Sequence, residues 1–181
     1  HYCDWFLRRH GEHLRGGMDI RMPLDRSIQA RACDIIARAA EAGGFDAAMV
    51  IRRADTSEIV AMAVSGDYFS LDNGQVNTAL ALRSAGSTLK PILAAAAMDE
   101  GIISPSEKLL DIPKAYKGYT PANFDSRWRG LVSLDDALVL SLNIPFVGIL
   151  EKLGVNCFES CLRRMGFECK GCSEEERGLA L

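Results

Sequence analysis

Apolar residues recur along this chain in two rhythms, one helical and one alternating or continuous. Between Asp25 and Gly44, the positions Ile28, Ala32, Ile35, Ile36 and Ala39 repeat at helical spacing. That spacing predicts an amphipathic helix with Asp25 as its N-cap and Gly43-Gly44 as its stop. Two short apolar runs follow, residues 47–51 and 59–64, separated by Ala54-Asp55-Thr56-Ser57. They read as the two strands of a hairpin, largely buried on both faces. Residues 65–74 are rich in turn formers and read as loop.

Helical spacing returns after Gly86. Pro91 suits a first helical turn, where its missing N–H costs nothing, residues 92–98 continue as a buried helix, and Gly101 stops it. Residues 103–129 carry Pro105, Pro113 and Pro121 with Tyr116, Tyr119, Phe124 and Trp128. This is too aromatic for a disordered linker, and a surface loop pinned by its own aromatics fits it. Ser133-Leu134-Asp135-Asp136 reads as a capping box opening a helix that ends near Leu140. Ser141-Leu142-Asn143 falls in a break. Residues 144–153 form the next helix, with Pro145 at its start and Gly154 at its end. Asn156 then caps a helix stopped by Gly166, and residues 173–177 form an acidic, solvated stretch. At the other end, residues 5–14 read as a short amphipathic helix closed by Gly16-Gly17, within a linker region covering residues 1–23. His10 and His13 there have no carboxylate or cysteine pattern of metal-ligand type beside them and read as solvated.

Composition adds constraints. The chain has 181 residues with 48% hydrophobic content, enough for a globular core, and a net charge of only −3. Without a basic surplus, nucleic acid is not an expected partner. No apolar run reaches the length of a membrane span and no signal peptide is visible. The first residue is His1, so the sequence reads as a piece of something longer. Four of the six cysteines, Cys157, Cys161, Cys169 and Cys172, are spaced C-x3-C-x7-C-x2-C. Zinc fits that spacing. Cys157 and Cys161 at i, i+4 on a helix also fit small buried apolar groups, and an exported chain can form disulfides. Packing or disulfide is the reading preferred, and no metal is assigned.

The chemistry centres on Arg83-Ser84-Ala85-Gly86-Ser87-Thr88-Leu89-Lys90-Pro91. Ser87 and Lys90 at i, i+3 share a helix face and can touch. A serine hydroxyl needs a base to become a nucleophile, and a lysine serves as one when burial lowers its pKa. An exposed serine cap and a solvated lysine fit the same spacing. Ser141-Leu142-Asn143 supplies a second hydroxyl and an amide, and both are also good capping types. Ser-x-x-Lys, Ser-x-Asn and Lys-Thr-Gly recur together in β-lactamases and penicillin-binding proteins.

With their flanks, these segments resemble the transpeptidase domain of class A bifunctional penicillin-binding proteins, most closely the 1C-like members. The flanks are Gln75 to Leu82 before Ser87, Gly118-Tyr119-Thr120-Pro121-Ala122-Asn123-Phe124-Asp125, and Ala137 to Pro145 around Asn143. The resemblance implies an α/β (α+β) fold of the penicillin-binding protein and β-lactamase type, incomplete, mostly helical with a small antiparallel sheet. Residues 24–181 would be the N-terminal portion of that domain. It implies Ser87 as nucleophile, Lys90 as its base, Ser141 as proton relay and Asn143 as a hydrogen-bonding partner of substrate and Lys90. Partners would be peptidoglycan stem peptides and β-lactam antibiotics, with no cofactor. The location would be the periplasmic, extracytoplasmic face of a bacterial inner membrane, with membrane anchor and glycosyltransferase domain in the parent protein. The segment at residues 103–129 would pack beside the cleft.

One family element is missing: no Lys-Thr-Gly, Lys-Ser-Gly or His-Thr-Gly occurs in the 181 residues. In the family it lines the cleft opposite the nucleophile, and its strand supplies an oxyanion-hole N–H. Losing one such donor costs about 100- to 1000-fold in rate. Little or no turnover is therefore expected of this chain alone. The competing reading is a non-catalytic binding or structural remnant, metal-stabilised through its cysteines. A β-lactamase or β-lactam sensor fits the flanks less well.

Overall fold

Local signals set the first large helix. In the computed structural model, which describes residues 1–70, 74–116 and 120–167, Asp25 caps a helix at Arg26–Gly43. Its carboxylate accepts from the backbone N–H groups of Ser27 and Ile28 at 2.8 and 3.0 Å and from the Ser27 hydroxyl at 2.6 Å. Those bonds, the Ser27 hydroxyl first, hold the Asp25 carboxyl below its ordinary pKa. Gly44, at φ 63°, closes the other end in the left-handed conformation. We call this helix α2, and α1 the helix Tyr2–His10 before it. Helix α1 starts earlier than its apolar pattern suggests and gives way to a 3-10 turn at Gly11–His13. The Tyr68 hydroxyl ties to it through Asp4 Oδ2 at 2.7 Å.

The chain packs as two units, His1–Leu82 and Arg83–Leu181. In the first, strands β1 (Ala48–Arg52) and β2 (Ile59–Val64) form an antiparallel hairpin, with Ala48 opposite Val64 and Val50 opposite Met62. Ala32 and Ile36 of α2 pack on Ala61 and Ala63 of β2, with Met49 and Ile51 of β1 beside them. The expected burial on both faces is found only in β2. Strand β1 alternates exposed and half-buried positions, because α2 covers one face and Val50 points away from it. The second face of β2 is covered at Met62, whose sulfur meets the Asn77 amide at 3.4 Å. The outer edge of β2 is also occupied. Gln29 donates to the Met62 carbonyl at 3.0 Å and accepts from its N–H at 2.9 Å, so a side-chain amide stands in for a neighbouring strand.

The second unit holds α3 (Lys90–Asp99), β3 (Lys108–Asp111), β4 (Gly130–Ser133), α4 (Leu134–Val139), α5 (Asn143–Leu153) and α6 (Val155–Arg164). Its core joins Leu93 and Ala97 of α3, Phe146 and Ile149 of α5, and Phe158 and Leu162 of α6. The small residues Ala94, Ala96 and Ala97 let neighbouring elements approach α3 closely. The Ser133 hydroxyl caps α4 by accepting from Asp136 N–H at 3.0 Å, and it donates to the Asp136 carboxylate at 2.5 Å. Aspartate thus closes the box through the serine hydroxyl.

Three expectations are corrected here. Residues 103–129 are not simply a loop, because β3 lies within them and pairs antiparallel with β4, Leu109 opposite Val132 and Asp111 opposite Gly130. Nor do aromatics pin the segment. Tyr116 is buried, but Trp128 is exposed and the Phe124 side chain stands fully in solvent. Tyr119 lies outside the described residues. Finally, α6 is not capped by Asn156. Gly154, at φ 85°, both ends α5 and precedes α6, which leaves Asn156 inside the first turn.

Candidate active site

Gly86 takes φ 52°, and no atom lies within 4 Å of where a Cβ would stand, so backbone conformation alone favours glycine there. It opens a 3-10 turn, Gly86–Leu89, that runs into α3. Ser87 sits on this turn with its side chain exposed. Thr88 ties the turn down, its hydroxyl donating to the Ala85 carbonyl at 2.5 Å.

Lys90, the first residue of α3, points inward and is 1% exposed. Its Nζ donates to the Ser141 carbonyl at 2.7 Å, to Asn143 Oδ1 at 2.7 Å and to Ser141 Oγ at 3.2 Å. The Phe146 ring lies beneath it, with its centroid 5.7 Å from Nζ. Among the described residues no carboxylate pairs with this ammonium. Burial therefore pulls the Lys90 pKa down from its ordinary value. All three N–H donors of a charged lysine are used here. A neutral amine would keep the two 2.7 Å bonds and leave its lone pair free to accept a proton.

Ser141 reaches this position through an unusual backbone. Its φ is 50°, in the left-handed region, which costs a non-glycine residue about 1–2 kcal/mol. Its N–H bonds the Leu138 carbonyl at 3.0 Å and the next N–H, of Leu142, bonds Ala137 at 2.9 Å. This tight turn aims both the carbonyl and the hydroxyl of Ser141 at Lys90. Neither side chain caps a helix, although the Ser141 backbone, left-handed just after the C-cap Leu140, closes the end of α4. The N-cap of α5 is Leu142, which offers no capping side chain, and Asn143 is the first helical residue.

Asn143 is held on three sides. Besides meeting Lys90, its Nδ2 donates to the Ala122 carbonyl at 2.7 Å and its backbone N–H donates to Asn123 Oδ1 at 2.8 Å. Asn123 is itself buried, and its Nδ2 donates to Asp111 Oδ1 at 2.7 Å and to the Arg127 carbonyl at 2.8 Å. Asp111, 0% exposed, accepts from the Arg129 N–H through its other oxygen at 3.0 Å. Nearby, the Arg129 guanidinium pairs with Asp125 at 2.6 Å, which lowers the Asp125 pKa and raises that of Arg129.

The structure thus brings Lys90, Ser141 and Asn143 into direct contact. Ser87 stands three residues before Lys90, but among the described residues no hydrogen bond joins its hydroxyl to Nζ, whose bonds run to Ser141 and Asn143. The segment at residues 120–129 does touch the site, through Ala122 and Asn123. Sequence reasoning quoted Asn123 within a flank but gave it no role, and it passed over Asp111. The one available signal was a polar residue at an inward position of a short strand, and that strand was itself not recognised.

Of the cysteines, Cys3 and Cys33 are exposed free thiols, and Cys157 and Cys161 are half-buried free thiols, Cys161 against the core. Cys169 and Cys172 lie outside the described residues, as do residues 173–181. No group of three or more metal-binding side chains occurs among the described residues. No helix among them is long and apolar enough to cross a membrane.

The family model described as "Penicillin binding protein transpeptidase domain" matches residues 47–179, and the chain belongs to that family. Penicillin-binding protein 1C of Escherichia coli (strain K12) is 44% identical over 93 residues, which are 51% of this chain and 12% of that protein. Penicillin-binding protein 1F of Bacillus subtilis (strain 168) is 33% identical over 173 residues, 93% of this chain and 23% of that protein. The D,D-transpeptidase domain of a peptidoglycan glycosyltransferase from Eggerthella lenta superimposes with a TM-score of 0.77 at 23% identity, over 93% of this chain and 43% of that structure. That likeness establishes the fold. The chain therefore spans less than a quarter of the length of either curated relative.

Proposed function

We propose that this chain carries the acylating residues of a peptidoglycan D,D-transpeptidase. The observation that carries the reading is Lys90, buried with no carboxylate paired to it among the described residues and hydrogen-bonded to Ser141 and Asn143, three residues after an exposed serine. Ser87 Oγ attacks the carbonyl of the penultimate D-alanine of a stem peptide. Lys90 in its neutral form takes the hydroxyl proton, which its lowered pKa favours. The tetrahedral intermediate collapses to a Ser87 ester as the peptide C–N bond breaks. Ser141 passes the proton to the leaving D-alanine amine. The amine of a second stem peptide then attacks the ester, forms the crosslinking amide and restores the Ser87 hydroxyl. Asn143 divides its amide between Lys90 and the substrate backbone. A β-lactam enters at the first step and leaves the serine acylated.

This chemistry belongs outside the cytoplasmic membrane, where the peptidoglycan substrate lies. Within these 181 residues the third family element is absent, so slow acylation without efficient transfer is the behaviour proposed for the chain alone. The test is labelling of the purified chain with a fluorescent penicillin beside Ser87→Ala. Label that vanishes in the variant supports the reading. A folded wild type that takes no label overturns it for this chain and leaves the non-catalytic alternative.

A further inference from the structure

We propose that Asn123, itself held by Asp111, is the positioning residue that fixes the Asn143 side-chain amide against Lys90. The inference rests on the reading of Lys90 and Asn143 as parts of the acylation site.

A side-chain amide has two faces of opposite polarity. Only Oδ1 attracts an ammonium, whereas a flipped Asn143 would set N–H groups against Lys90. The flip is decided outside Asn143, because its Nδ2 donates to the Ala122 carbonyl at 2.7 Å. That carbonyl belongs to the peptide unit that ends at Asn123, so whatever holds Asn123 also aims it. Asn123 Oδ1 accepts from the Asn143 N–H at 2.8 Å. This bond serves the start of α5, where Leu142 supplies no capping side chain. The flip of Asn123 is decided in turn by its two acceptors, Asp111 Oδ1 at 2.7 Å and the Arg127 carbonyl at 2.8 Å. An ionised carboxylate accepts only, so it cannot tolerate the reversed amide. Asp111 is fully buried and its second oxygen is engaged by the Arg129 N–H, so its orientation is fixed by the β3–β4 hairpin. A directional chain of hydrogen bonds therefore runs from a buried carboxylate to the amide that faces Lys90. Only asparagine at 123 fits both ends. Alanine removes all three side-chain bonds, and aspartate keeps the acceptor but sets a second carboxylate against Asp111.

The test is hydrogen exchange of the Asn143 side-chain N–H groups by NMR in the full 181-residue chain. The variants are Asn123→Ala, Asn123→Asp and the pair Asn123→Asp with Asp111→Asn. In the pair, the amide introduced at 111 donates to the carboxylate introduced at 123, whose other oxygen accepts from the Asn143 N–H. Each single change is expected to speed exchange at Asn143 about five- to tenfold, the effect of one lost hydrogen bond. The pair is expected to recover part of that loss, which a merely destabilising change at 123 would not do. Unchanged exchange at Asn143 in a folded single variant overturns the proposal, and so does a pair no slower than the singles. Penicillin labelling of the same samples separates the two readings. A wild type without label counts against Ser87 as nucleophile, while the exchange data alone decide the role of Asn123.

Discussion

Replacing Lys90 by methionine isolates the cost of its buried charge. Methionine has nearly the same length and no charge. A lysine whose folded pKa is lowered binds fewer protons in the folded than in the unfolded state, between that lowered value and the ordinary 10.5. The unfolded chain then holds the extra proton, so stability rises with pH through this window and levels off above it. One group contributes a slope of at most about 1.4 kcal/mol per pH unit. Lys90→Met removes that slope. It also removes the two 2.7 Å bonds to Ser141 and Asn143, about 0.5–1.5 kcal/mol each, but this offset varies little with pH. The assay is urea unfolding at a series of pH values up to 10.5, in a Trp5→Phe background where Trp128 alone reports on the second unit. Burial raises the Tyr116 pKa, so this residue contributes a falling term near the top of the range, but both proteins share it and it cancels in the difference. The wild-type minus variant stability is expected to climb with pH. A flat or falling difference would show that Lys90 is solvated like a surface lysine, and the argument for its basicity would fail.

Other changes follow from single contacts. Ser133→Ala removes the cap of α4 and should cost about 1 kcal/mol in urea unfolding, with labelling of Ser87 retained. Gly86→Ala meets no atom but must adopt φ 52°, so about 1–2 kcal/mol of strain is expected, visible as a lower melting temperature and slower penicillin labelling. Phe146→Ala empties a site that is 0% exposed beneath Lys90, and about 3–5 kcal/mol should be lost, measured by urea unfolding.

What the sequence disclosed depended on how local the cause was. Asp25 and Gly44 fix the ends of α2 through bonds within a few residues, so both ends were legible. Strands β3 and β4 were not, because four residues with two inward positions give too short a period to stand out from loop. Asn156 is a good capping type, yet the turn is made by Gly154 and local propensity was overridden by backbone conformation. Spacing set Ser87 and Lys90 on one helix face within reach of each other, but it could not say that Lys90 reaches inward to partners 51 and 53 residues away. The same distance in sequence hid Asn123, whose bonds to Asp111 and Asn143 span 12 and 20 residues. Motif flanks identified the family, and tertiary contacts supplied the residues that hold its amide in place.

The central claim, that Ser87 is a nucleophile served by the Lys90 cluster, is tested most directly by mapping the penicillin adduct by mass spectrometry. Wild type, Ser87→Ala and Lys90→Met would be incubated with benzylpenicillin and digested. The expected result is an adduct on the Ser87 peptide of wild type, absent from Ser87→Ala and strongly reduced in a folded Lys90→Met. An adduct that persists in Ser87→Ala, or one indifferent to Lys90→Met, would contradict the claim.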